Sequence, residues 1–280
     1  MPGDGDEHTL TIRCDINTTE SQIKREEAAV LLEGKNAVIY GGGGAIGGAV
    51  ARAFAREGAK VFLAGRTRAK LDKVAEDIRS AGGAAETAQL DALDETAVDE
   101  HADAVAENAG GIDISFNLIS YGDVQGTPLA EMPLEDFERP IVSAVRTQFL
   151  TSRGAARHMI RQGSGVILFF GGQGDPVPDY YIGGFQIALT AIESLRRQLA
   201  SELGAHGIRA VTLKTGGVPE SIPESFASKE AITESLIEPT MLKQAATLDD
   251  VGNVAVFAAS DLARTMTATA LNITCGAIVD

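Results

Sequence analysis

The sequence predicts a single α/β domain, a doubly wound parallel sheet of about seven strands with helices on both faces. Two observations carry this. Short apolar runs, of the kind that form strands buried on both faces, alternate with amphipathic helical stretches along residues 34–280. A glycine-rich turn directly follows the first run and opens the first helix. No internal repeat, low-complexity tract or linker divides this region, so one domain is expected.

The elements follow in order. "NAVIY" is the first strand, and "AIGGAVARAFAREG" is the helix after the glycines. "AKVFLAG" and "RAKLDKVAEDIRSAGG" form the second strand–helix pair. "AAETAQLD", "DETAVDEHADAVAENAGG" and "IDISFNLIS" give strand three, helix three and strand four. A long helix spans about 134–161, followed by the strand "GVILFFGG", a helix over 184–203 and the strand "IRAVTLK". A last helix, "TLDDVGNVAVFAAS", precedes the terminal strand "ALNITCG". Residues 1–33 have no sustained period. They read as an arm, partly disordered or packed on a partner subunit, the alternative being a solvated tail.

Composition excludes several functions. The chain has 280 residues, 44% of them apolar, which suffices for a sizeable core. Its formal net charge of −15 repels nucleic-acid backbones and anionic membranes at long range, although a local basic spot can still hold a phosphate. No run is long enough to span a membrane. The opening "MPGDGDEHTLTIRCD" lacks a basic segment followed by an apolar one, so no secretory signal is expected. Cys14 and Cys275 have no metal-ligand spacing and read as reduced thiols of a cytoplasmic protein; no metal site is expected.

The turn "VIYGGGGAIGGAV" carries the first chemistry. A parallel strand delivers the chain to the carboxyl edge of the sheet, and the next helix aims its N–H groups and positive dipole end back at that edge. Glycines let the backbone turn tightly and approach a pyrophosphate. Gly41, Gly44, Ala45, Ile46 and Gly47 are therefore the candidate cofactor loop of a Rossmann-type domain.

From about residue 35 to 280 the chain resembles the short-chain dehydrogenase/reductase family. That family's loop reads T-G-x-x-x-G-x-G. Here Gly41 and Gly47 match, while Tyr40 replaces Thr and Ala45 replaces the middle Gly. "QLDALD" resembles the motif whose Asp contacts adenine, here Asp91. "IDISFNLIS" resembles I-D-I-L-V-N-N-A-G, with Asn117 at the first Asn and Leu118, Ile119 and Ser120 departing from it. "HGIRAVTLKTGGV" resembles H-G-I-R-V-N-x-V-x-P-G, with Thr215 in place of Pro. The C-terminal stretch from Asp249 also follows the family pattern. For Asp91 the alternative reading is a cap on helix three, and for Asn117 a backbone tie where strands diverge.

The residue ending strand two decides the dinucleotide. An acidic side chain there binds the free ribose 2′-OH and repels a 2′-phosphate. This chain has Gly65, followed by Arg66 and Arg68, which favours NADP(H) over NAD(H).

The resemblance also implies an Asn-Ser-Tyr-Lys tetrad in which a tuned phenol exchanges the proton. "LRRQLASELGAHGIR" fixes the register without a gap. Counting back places the Tyr position at Phe185, the Lys at Leu189, the Ser at Gly172 and the Asn at Ala144. A gap could bring Tyr180 or Tyr181 near the Tyr position. No gap restores the Lys, because none occurs between Lys73 and Lys214, and the Y-x6-K spacing of the related enoyl reductases fails likewise. Replacement acid–base candidates lie in "GGQGDPVPDYY": Asp175, Tyr180 and Tyr181. Tyr181 would lie one turn before Phe185 if the helix reached that far. Arg146 and Tyr121 follow as further candidates, and His158 is expected on a helix face without a partner.

Three functions fit this pattern. One is an NADP(H)-dependent oxidoreductase with a relocated or dispensable acid, the reading that the resemblance favours. The second is a non-redox cyclase or isomerase on the same scaffold, and the third a non-catalytic nucleotide-binding protein. The partner is a small-molecule substrate, or none. By resemblance, the helix bearing Phe185 pairs with its copy in a homo-oligomer, a dimer or tetramer.

Overall fold

The computed structural model describes residues 30–172 and 180–279. The first half runs β1 (Asn36–Tyr40), α1 (Ala45–Arg56), β2 (Lys60–Gly65), α2 (Arg68–Ser80), β3 (Ala84–Gln89), α3 (Glu95–Ala109) and β4 (Ile114–Asn117). The second half runs α4 (Leu134–Gln162), β5 (Gly165–Gly171), α5 (Gly184–Leu203), β6 (Ile208–Lys214), α6 (Lys229–Ile237), α7 (Leu248–Ala259) and β7 (Thr269–Asn272). The strands form one sheet in the order β3-β2-β1-β4-β5-β6-β7, and every pairing is parallel. Strand order reverses between β1 and β4, which opens a crevice at their carboxyl ends.

Alternation along the buried strands divides the core in two. Ala37, Ile39, Val61, Leu63, Val166 and Leu168 face α1, α2 and α7. Val38, Tyr40, Phe62, Ala64, Ile167 and Phe169 face α3, α4 and α5. Both faces are covered, so these strands carry almost no polar positions. The edge strand β3 does, and Glu86 on it pairs with Lys60 at 2.6 Å.

The sheet departs from the sequence expectation at its ends. β4 stops at Asn117 and β3 at Gln89, earlier than their apolar runs suggest, because the chain leaves the ladder there to form loops at the crevice. The short helix α6 was not expected; it has no buried residue and hence no clear apolar face. Leu32, assigned from sequence to the arm, is fully buried in the core, and its N–H donates to the Glu57 carbonyl at 2.8 Å. The compact unit that contains the sheet therefore includes Leu31 and Leu32. The rest of the expected arm, residues 1–29, lies outside the described residues. No helix among the described residues is long and apolar enough to cross a membrane.

Candidate functional site

The glycine loop sits in the crevice between β1 and β4. Gly41 has φ +80°, and a Cβ there would lie 2.5 Å from the Leu118 carbonyl oxygen of the neighbouring loop. At Gly47 a Cβ would lie 2.3 Å from the Gly41 carbonyl oxygen. The first glycine thus permits the turn and the second lets α1 press against it, so both matching positions are sterically required. Gly44 caps α1 without a side-chain bond, no acidic residue occupies the first turn, and Ala45 is the first helical residue. The α1 N–H groups and dipole are left free for an anion. Ile46 packs against the core and anchors that turn. Tyr40, at the family's Thr position, points the other way, its ring 5.7 Å from that of His101 on α3. Burial pushes the Tyr40 phenol well above its ordinary range and pulls His101 down to about 4.

At the end of β2, Gly65 leaves open space, since a Cβ there would touch only Leu71 Cδ2, at 3.6 Å. The two arginines differ. Arg68 is spent on Asp72, with Nε 2.8 and 2.9 Å from its carboxylate oxygens, and Asp72 also accepts from Thr87. Those bonds, that to Thr87 first, hold the Asp72 carboxyl below its usual range. Arg66 is exposed; its carbonyl accepts from Gln89, while its guanidinium has no partner among the described residues. Sequence reasoning missed Lys70, whose Cβ would lie 2.9 Å from a Cβ on Gly43. It flanks the glycine loop, and the basic run "RTRAK" was the available signal.

Asp91 Oδ1 accepts from the Leu93 N–H at 3.0 Å and stiffens the loop after β3. It does not cap α3, because Asp94 does so through the Ala97 N–H. Asn117 is buried; its side chain donates to Thr151 on α4 at 3.2 Å and accepts from the Ile119 N–H at 3.0 Å. The backbone tie weighed from sequence is therefore present at Asn117.

The structure brings together the four positions that the register assigns to the tetrad. Gly171 ends β5 and Gly172 follows it, and Cβ atoms on them would lie 3.3 and 3.5 Å from the Leu189 methyls. Phe185 is one helical turn before Leu189 on α5. Ala144 is fully buried on α4, in the same apolar cluster as Leu189, and Phe185 packs against that cluster. The ring of Tyr121 lies 6.3 Å from that of Phe185, tilted by 46°. The Tyr121 Oη accepts from Gln148 Nε2 at 3.2 Å, one turn beyond Ala144. Gln148 was missed from sequence, because a lone Gln inside an amphipathic helix looks like a solvent-facing residue.

The other candidates fare differently. α5 starts at Gly184, as expected, and Tyr181 has φ +46°, so the helix does not reach Tyr181 and the condition for placing it one turn before Phe185 is not met. Gly183 breaks the approach with φ +57°, ψ −136°. Tyr181 is 47% exposed, and among the described residues only its carbonyl has a partner, the Gly126 N–H. Tyr180 is partly buried in the preceding turn. Asp175 lies outside the described residues. Arg146 is turned outward, donating to the Leu93 carbonyl. His158, expected to be alone, is clamped between Asp103 at 2.8 Å and Arg161 at 2.6 Å, because α3 packs across that face of α4.

Known proteins place this geometry. Residues 43–277 match the family described as enoyl-(acyl carrier protein) reductase. The chain is 30% identical over 236 residues to the uncharacterized oxidoreductase YxbG of Bacillus subtilis (strain 168), covering 82% of this chain and 86% of that protein. A dehydrogenase/reductase structure from Sinorhizobium meliloti 1021 is 28% identical, with a TM-score of 0.79 over 90% of this chain and 98% of that one. The fold is also that of a gluconate 5-dehydrogenase from Burkholderia cenocepacia J2315 solved with NADP and tartrate, at 24% identity and a TM-score of 0.80, covering 89% and 97%. Loop, sheet order and sequence agree: the chain belongs to the short-chain dehydrogenase/reductase family of oxidoreductases.

Proposed function

We propose that the protein binds NADP(H) and acts as an oxidoreductase whose reacting end lacks the family's usual Ser, Tyr, Lys and Asn. The observation carrying the cofactor assignment is Arg66, exposed and without a guanidinium partner among the described residues, beside Gly65 on the strand next to a glycine loop with an uncapped α1 N-terminus. The residues fit the group. Gly41, Gly44, Ala45, Ile46 and Gly47 would hold the pyrophosphate and Arg66 the 2′-phosphate, with Lys70 adding charge. Asp91 would lie at the adenine, its Oδ2 being uncommitted, and Asn117 would support the β4 edge. The structural relative with bound NADP supports the same cofactor class. When bound, the cofactor supplies or takes the hydride.

Phe185, Leu189, Gly172 and Ala144 carry no side-chain group able to take part in the family's proton relay. This favours a second reading, nucleotide binding without hydride transfer. Fluorescence titration tests the first step: NADPH binds saturably and more tightly than NADH, and absence of saturable binding removes the cofactor assignment. Anaerobic single-turnover oxidation of bound NADPH with ketones, imines and enones then separates the two readings.

We also propose a homo-oligomer built on α4 and α5. Val142, Val145 and Phe149 expose an apolar stripe on α4, and Ile187 does so on α5. Light scattering of V142E/F149E should show smaller particles than the parent protein, and an unchanged mass would refute this interface.

A further inference from the structure

We propose that Tyr121 is the catalytic hydrogen-bond and proton donor to a substrate carbonyl oxygen, with Gln148 as its positioning residue. This rests on the NADP(H) oxidoreductase reading. Tyr121 and Phe185 pack ring against ring, so the Tyr121 phenol stands beside the position where relatives carry theirs.

The hydrogen bonds fix which way that phenol can act. Gln148 is fully buried, and its Nε2 sits between two oxygens, Tyr121 Oη at 3.2 Å and the Asn117 carbonyl at 3.5 Å. Exchanging the amide ends would set Oε1 against that carbonyl, so the nitrogen faces both. Tyr121 Oη is therefore an acceptor toward Gln148, and its own proton has no acceptor among the described residues. A buried hydroxyl proton without an acceptor calls for one, and a substrate carbonyl oxygen beside Phe185 would supply it. Gln148 Oε1, on the far side of the amide, is buried without a partner among the described residues, the consequence of aiming the nitrogen at Tyr121.

Burial pushes the Tyr121 phenol up to about 12, with the Gln148 bond opposing the shift. The phenol therefore stays protonated at working pH. When bound, the cofactor would supply the hydride to the carbonyl carbon while the C=O electron pair moved to oxygen. Tyr121 would give its proton to that oxygen, and a proton from solvent would restore the phenol.

The test uses the full chain loaded with NADP+ and acetophenone labelled with 13C at the carbonyl. The C=O stretch should move to lower wavenumber on binding, and the shift should vanish in Tyr121→Phe. With NADPH, that variant should reduce ketones about 100-fold more slowly, the usual loss for one such donor. Its NADPH affinity and melting temperature should be unchanged. Gln148→Met should lower kcat and leave KM, and adding it to Tyr121→Phe should cost nothing further, which a merely structural role would not give. No shift in the parent complex, no ketone reduction by the parent protein, or an unchanged rate in Tyr121→Phe overturns the proposal. Loss of NADPH binding by the parent protein would instead strike the cofactor assignment itself.

Discussion

Placing an acid at the end of β2 should convert cofactor choice, and Gly65→Asp is the sharpest form of that perturbation. The space exists, because the new Cβ meets only Leu71 Cδ2 at ordinary contact distance. The carboxylate would stand next to Arg66, the only guanidinium of this turn not already bonded to an acid. At an effective dielectric of about 20 and a separation of about 5 Å, one unit charge pair repels by about 3 kcal/mol. Salt screening and side-chain rotation reduce this, while diversion of Arg66 toward the new acid adds to it. A net loss of about 2–3 kcal/mol corresponds to roughly 30- to 150-fold weaker NADPH binding. NADH has no 2′-phosphate to repel and gains a ribose acceptor, so its affinity should hold or improve. Fluorescence titration of both cofactors against parent and variant reads the ratio directly. Equal weakening of NADPH and NADH, or no change in either, would refute the assignment of this turn to the 2′-phosphate.

Other expectations follow from the same geometry. G172S/F185Y/L189K should gain carbonyl reductase activity, since a Cβ at 172 meets its neighbours no closer than 3.4 Å and Phe185 differs from Tyr by one hydroxyl; a folded but inert variant would argue against the register. Gly47→Ala should cost about 1–3 kcal/mol of stability through overpacking against Gly41 and abolish NADPH binding, as read by thermal melting and titration. His101 carries a pH signature. Its folded pKa of about 4 lies below the ordinary 6.5, so its contribution is complete above pH 6.5 and is lost as pH falls toward 4. Urea unfolding across that window should show a loss of roughly 2–3 kcal/mol that His101→Phe removes.

The strands and long helices were legible because burial on both faces imposes apolar runs and helix packing imposes a 3.6-residue stripe. The glycine loop was legible because Gly41 and Gly47 are needed for steric reasons that hold in any chain folding this way. What escaped the sequence was set by partners distant along the chain. Arg68 looked as available as Arg66 until Asp72 and Thr87 claimed it. His158 looked solitary because Asp103 reaches it only once α3 lies on α4. Whether the helix over 184–203 would reach back to Tyr181 was open from sequence, and Gly183 turns the chain away before it does. Gln148 is part of the site only through Tyr121, whose side chain β4 and the following loop carry to Phe185. Helix α6 gave no sign because it buries nothing.

A crystal structure of the NADPH complex is the most direct test of a retained nucleotide half beside a rebuilt reacting end. The expected density has the pyrophosphate on the loop from Gly41 to Gly47, the 2′-phosphate on Arg66, and the nicotinamide beside Phe185 and Leu189. Cofactor bound elsewhere, a 2′-phosphate pointing away from Arg66, or a nicotinamide far from Phe185 would contradict it.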